Sequence, residues 1–302
     1  MANAPSGSPT DPQDNSLLSA QTVAAQAHLA MESPDAALRV LPASASSQQS
    51  PAWRVWLAAA TQSAGRGNLT SLQSITPDAS ATPGQTWQSL ITLAQAWRSA
   101  ASSLEEAGRD AFATADETAT RLTVAYADKL RNTPDAPALA WQQAGMLLSP
   151  AGDADAARRA YERALALDAN LPIATNNLAM LLVDAGGSGD LEQAERMMDD
   201  LLAREDMAEI AARAAFLDTK ATVSMARDNT DAALSALDEA VELQPREPAW
   251  QLHRAEVLAE LGRGGDARRA LNEVRRLVPS LNNSPLQERY EALRKRLDGS
   301  GS

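Results

Sequence analysis

The stretch ALAWQQAGMLLSPAGDADAARRAYERALALDANL, residues 138–171, decides the fold. Small residues punctuate both of its halves, with Ala144 and Gly145 in the first and Ala157 and Ala164 in the second. Trp141, Leu148, Tyr161 and Leu167 recur around them at helical spacing. Between the halves stand Gly152 and Asp153. Glycine there permits a left-handed stop, and aspartate is a good cap for the helix that follows. The stretch reads as two antiparallel helices crossing through Ala and Gly, at the short end of a roughly 8–10 Å interaxial range.

Working outward, the pattern repeats through Pro279. Four units are expected, over 138–171, 172–213, 214–247 and 248–281. Their marker alanines, Ala157, Ala194, Ala233 and Ala267, are separated by 37, 39 and 34 residues. Two loop insertions, at 187–189 and around 205–213, account for the longer intervals. Pro172 and Pro248 stand at first-helix starts, where proline is tolerated. A helix over 285–297 is expected to cap the array, because a terminal unit otherwise shows its core to water. Residues 298–302 read as a flexible tail.

Upstream the pattern is worn. Residues 1–14 are rich in Pro, Ser, Gly, Asn and Asp, the composition of a disordered tail. Residues 15–134 read as degenerate hairpins: 16–31 with 34–41, 51–64 with 68–75, then a helix over 85–102 and another from about 104 to 131. Pro134 and Pro137 end that last helix. Trp53, Trp56, Trp87 and Trp97 are expected to pack in the core of this half, the alternative being an exposed aromatic patch for a second protein contact or a carbohydrate.

Composition narrows the function. Hydrophobic residues make up 44% of the 302, but aromatics only 4%, so alanine carries the close packing. The formal net charge of −12 disfavours nucleic acid and anionic membranes. Charge is uneven: residues 246–302 carry +3 and the rest −15. No apolar run is long enough to span a bilayer. With no cysteine, disulfides and thiolate metal sites are impossible. The two histidines, His28 and His253, lie in distant units and make no metal site. Gly186-Gly-Ser-Gly189 lacks the Lys-Ser or Lys-Thr of a phosphate loop. Asp153-Ala-Asp155 lacks the glycine and closing glutamate of a calcium loop. No cofactor and no catalytic constellation is expected.

Trp141, Ala144-Gly145, Leu148, Gly152-Asp153, Ala157, Tyr161, Ala164 and Asp168 together resemble a tetratricopeptide repeat of bacterial type. The resemblance implies an all-α solenoid, a right-handed superhelix of antiparallel hairpins. Asn176-Asn177-Leu178-Ala179 followed by Leu217-Asp218-Thr219 is similar to repeats in bacterial proteins of envelope assembly and polysaccharide export. The tetratricopeptide resemblance also implies a concave groove lined by repeat positions two, five, six and nine of each first helix. Here those positions hold Leu139, Gln142, Gln143 and Met146; Ile173, Asn176, Asn177 and Met180; Ala215, Asp218, Thr219 and Thr222; and Ala249, Leu252, His253 and Glu256. Gln143, Asn177, Thr219 and His253 would form a polar line for an extended backbone. Relatives that grip an acidic C-terminus use Lys or Arg at positions where this chain has Gln142, Met146, Ala215 and Thr219, and only Asn177 matches them.

The reading is a non-enzymatic scaffold or adaptor that holds a protein or peptide partner, with a neutral or apolar segment favoured. The alternatives are a self-assembling structural protein, with homo-oligomers, and a regulatory region of a larger envelope or export machine. The N-terminus lacks the basic and apolar parts of a signal peptide, so the compartment expected is cytoplasmic, or periplasmic if an export signal has been removed.

Overall fold

A computed structural model of the chain describes residues 90–91, 94–98, 109–207, 212–279 and 286–299. The 1–14 tail, the hairpins expected over 16–41 and 51–75, His28, Trp53, Trp56 and Trp87 lie outside the described residues. All regular structure among the described residues is helical. In order it comprises α1 (Arg109–Arg131), α2 (Ala138–Leu148), α3 (Ala154–Leu167), α4 (Pro172–Ala185), α5 (Ser188–Leu202), a short 3-10 turn (Glu205–Met207), α6 (Arg213–Ala226), α7 (Thr230–Leu243), α8 (Pro248–Glu260), α9 (Gly264–Leu277) and α10 (Gln287–Gly299). No helix among the described residues is long and apolar enough to cross a membrane.

The chain divides into two compact units, Met1–Ala160 and Tyr161–Ser302. The division falls inside α3. Across Pro134 and Pro137, α1 packs directly on α2.

In the first unit Leu122, Tyr126 and Leu130 recur every four residues along α1 and are fully buried. They form the apolar stripe of an amphipathic helix. The Tyr126 hydroxyl donates to the Ala140 carbonyl at 2.6 Å, tying α1 to α2. Burial pushes that phenol far above its usual range, so it remains a donor. Trp97 is buried, and its neighbour Arg98 pairs with Asp116 of α1. Ala140, Ala144, Gly145 and Ala157 are buried together with Leu148. At the following turn Gly152 has φ of +82°, and a Cβ there would meet nothing within 4 Å. Backbone conformation, not crowding, therefore requires the glycine. Asp153 Oδ1 accepts from the Ala156 N–H at 3.0 Å and opens α3.

In the second unit neighbouring helices pack in hairpins, α4 on α5, α6 on α7 and α8 on α9. Successive first helices also touch, α4 with α6 and α6 with α8. Ala194, Ala233 and Ala267 are fully buried at the seams, beside Met198, Leu237 and Leu271. Each fully buried Leu contributes about 1.5–3 kcal/mol relative to exposure. The turns close in left-handed conformations at Gly186 (φ +69°), Asp228 (φ +59°) and Gly262 (φ +71°). Asp228 is the non-glycine exception, and the next residue, Asn229, caps α7 by accepting from the Ala232 N–H at 3.2 Å.

Two expectations need correction. The residues at 187–189 do not lengthen a loop. Ser188 and Gly189 already belong to α5, which carries roughly one additional turn ahead of Ala194. Three residues come close to the roughly 3.6 of a full turn, so the helix absorbs them. The C-terminal helix likewise runs to Gly299, so Asp298 and Gly299 are helical and not part of a tail. Tyr290, Leu293 and Leu297 of α10 are buried in the same core as α8 and α9. Its surface is fastened by Arg289 to Glu256, Arg296 to Glu260, and Arg268 to the Leu297 carbonyl.

Candidate interaction face

The first helices present one row of side chains in each unit. On α2 of the first unit, Leu139 and Met146 are 58% and 45% exposed, large for apolar residues. They lie two turns apart on one side of the helix. Gln143 is half-buried between them. Gln142 is only 8% exposed and is removed from the set of free contact residues.

The second unit carries the longer row. On α4, Ile173 is 44% exposed and Met180 is half-buried. Asn177 Nδ2 donates to the Tyr161 hydroxyl at 3.1 Å. Asn176 Nδ2 donates to Asn177 Oδ1 at 3.3 Å, and Asn176 Oδ1 has no partner among the described residues. Burial raises the Tyr161 phenol above its usual range, and the Asn177 donor opposes that. The expected line of free polar groups is therefore partly committed to the fold itself. Thr219 on α6 is 6% exposed, and Leu252 on α8 is fully buried. Neither is available to a ligand as placed. Leu252 is covered because it shares one core with Tyr290, Leu293 and Leu297 of α10.

The remaining polar residues form a chain across three helices. Asp218 Oδ1 on α6 meets His253 Nδ1 on α8 at 2.6 Å. Thr222 donates its hydroxyl to the Asp218 carbonyl at 3.1 Å. One turn along α8 from His253, Glu256 receives both Nε and an Nη of Arg289 on α10, at 3.0 and 2.5 Å. The hydrogen bond to Glu256 holds the Arg289 guanidinium above its ordinary range; burial opposes this, and the Glu256 and Asp218 charges add to it. Sequence reasoning named Asp218, His253 and Glu256 as row residues and did not name Arg289. The available signal was the place of α10 after a second helix, which is where a further first helix would begin.

Charge is sorted between the faces. Four cations near the first helices turn toward acids of the second helices. Lys220 pairs with Asp199, Arg227 with Glu195, Arg213 with Glu239, and Arg254 with Asp238. Such half-exposed pairs contribute little stability, but they remove the cations from the row. Among the described residues no group of His, Asp or Glu is placed to hold a metal ion.

Two family models for the tetratricopeptide repeat match this chain, one over residues 138–171 and one over residues 219–282. Residues 138–171 and 219–282 are tetratricopeptide repeats. No curated protein matches the chain. Solved structures similar to it include MamA 41-end from Desulfovibrio magneticus RS-1, at 17% identity and a TM-score of 0.44 over 61% of this chain and 94% of that one. Pseudomonas aeruginosa pilF is similar at 15% identity and 0.48, over 70% and 91%. The Cut9-Hcn1 hetero-tetramer of APC/C is similar at 17% and 0.49, over 87% and 51%. Tetratricopeptide arrays serve in general as protein-interaction scaffolds, and that class of function is the one this chain belongs to.

Proposed function

We propose that the Tyr161–Ser302 unit holds a segment of a protein partner along α4, α6 and α8, without catalysis. Exposed apolar side chains at fixed register carry the reading. Ile173 stands 44% exposed at the start of the row, with the half-buried Met180 two turns away on the same side. Methionine adapts its shape to different partners, and exposed apolar groups in a row of this kind mark interaction surfaces. The partner segment is mostly uncharged beside α4.

The test is affinity capture with the wild-type chain beside an Ile173→Glu, Met180→Glu double variant, after melting curves show that both fold. A partner recovered by the first and lost by the second supports the face. Equal recovery by both moves the interaction elsewhere on the molecule.

A further inference from the structure

Asp218 and His253 stand at positions five and six of consecutive first helices, α6 and α8, and meet at 2.6 Å, Oδ1 to Nδ1. A carboxylate accepts hydrogen bonds and does not donate them, so the Nδ1 in this contact carries the proton. A neutral imidazole has one N–H and one lone pair. With the proton on Nδ1, Nε2 is the acceptor. That nitrogen has no partner among the described residues and reaches solvent. The rest of the α8 row is spent. Ala249 has no polar side-chain atom, Leu252 is buried, and Arg289 takes both carboxylate oxygens of Glu256. His253 Nε2 is therefore the polar side-chain atom that α8 leaves open on this face.

We infer that Asp218 is a positioning residue: it keeps the His253 proton on Nδ1, so that Nε2 accepts a hydrogen bond from an N–H group of the partner segment. The inference rests on the reading above of the α4, α6 and α8 face. Which ring nitrogen carries the proton is set by the bond the other one makes. Here that bond comes from the preceding repeat, so two units must be packed in register for the acceptor to form. Only 15% of the His253 side chain is exposed, so packing limits the ring to few orientations. The consequence is selective. An N–H of the segment is answered, whereas a carboxylate or carbonyl oxygen brought to the same place meets a lone pair.

The first readout needs no ligand. The chain has two histidines, His28 and His253, so long-range proton–nitrogen NMR of the labelled full chain at about pH 8 resolves both rings, and His253→Phe assigns its own. His253 should show a proton on Nδ1 and a lone pair on Nε2. A proton on Nε2, alone or together with one on Nδ1, overturns the inference. Asp218→Asn keeps the size of the side chain and a hydrogen bond to the ring, but its amide donates to Nδ1 and sends the proton to Nε2. That chain should melt near wild type and show the reversed tautomer; an unreversed one removes the Asp218 carboxylate as the cause. The second readout is a dodecapeptide selected from a random phage-displayed library against the full chain. It should lose most of its binding to the Ile173→Glu, Met180→Glu variant, which places it on the face. It should bind Asp218→Asn and His253→Phe, both shown folded by melting curves, about two- to tenfold more weakly, the size of one hydrogen bond. A peptide that needs Ile173 and Met180 but binds both ring variants as wild type overturns this inference and leaves the face standing. A peptide indifferent to Ile173 and Met180, or a library that yields none, overturns the face and with it the ligand of Nε2, whatever tautomer the ring shows.

Discussion

The seams between helices and the row of first-helix side chains are built on the same scaffold by opposite rules. At the seams Ala194, Ala233 and Ala267 are fully buried, and one residue type serves three hairpins. Along the row the corresponding places change from helix to helix: Met180, Thr222 and Glu256 at position nine, Asn176, Asp218 and Leu252 at position five. Uniform seams fix the distance between helices, because packed interiors tolerate little change in volume. The variable row carries whatever distinguishes one array from another. Packing determines the architecture, and hydrogen bonds and charges on the row determine what it holds.

The sharpest way to break that division is at a seam. Leu237→Ala should destabilise the second unit by about 2–5 kcal/mol, because a fully buried leucine leaves a cavity that a close-packed array cannot collapse. A melting midpoint unchanged from wild type would show that the seam is not under packing control. Asn177→Ala tests the border between the two rules. It removes the donor to the buried Tyr161 hydroxyl and should cost about 0.5–1.5 kcal/mol, measured by denaturant titration. A neutral result would return Asn177 wholly to the row. Asp228→Gly should stabilise slightly, by up to about 1 kcal/mol, since aspartate at φ of +59° carries strain that glycine lacks. A lower melting temperature in that variant would show that the Asp228 side chain supports the turn in another way.

The smallest effect is that of acid. Hydrogen bonds to Arg296 and Arg263 hold the Glu260 and Asp266 carboxyls below their ordinary values. A depressed folded-state value contributes stability above the unfolded range, and that contribution is lost as pH falls through the folded value. The C-terminal helix should therefore loosen slightly below about pH 4, and Glu260→Gln should flatten that dependence. Hydrogen exchange in α10 would measure it, and an unchanged profile in the variant would remove Glu260 as the cause.

Much of the fold was legible in the sequence because its determinants are local. Gly152 and Asp153 announce the turn that closes α2 and opens α3, and both do what their backbone and side chain allow. The alanine markers, separated by 37, 39 and 34 residues, fell on buried positions because close helix contacts admit little else. The row was less legible. Gln142, Thr219 and Leu252 were expected to be free, and all three are buried. Position two is exposed on α2, α4 and α6, whereas five and six are half-buried or buried on every first helix, and repeat register alone does not record how closely a neighbouring helix packs. The Arg289 contact with Glu256 joins residues 33 apart across a cap that sequence assigned only to covering the core.

The extra turn at the start of α5 has a consequence for how this chain tolerates change in length. Its packed portion is pinned by Ala194, Met198 and Leu201, so added residues shift only the point where the chain enters the helix. Each residue rotates that entry by about 100°, so three or four nearly restore it to the side facing Gly186, whereas two swing it to the far side. Indels at residues 187–190 should accordingly survive in steps of a whole winding, as a screw accepts another thread but not half of one.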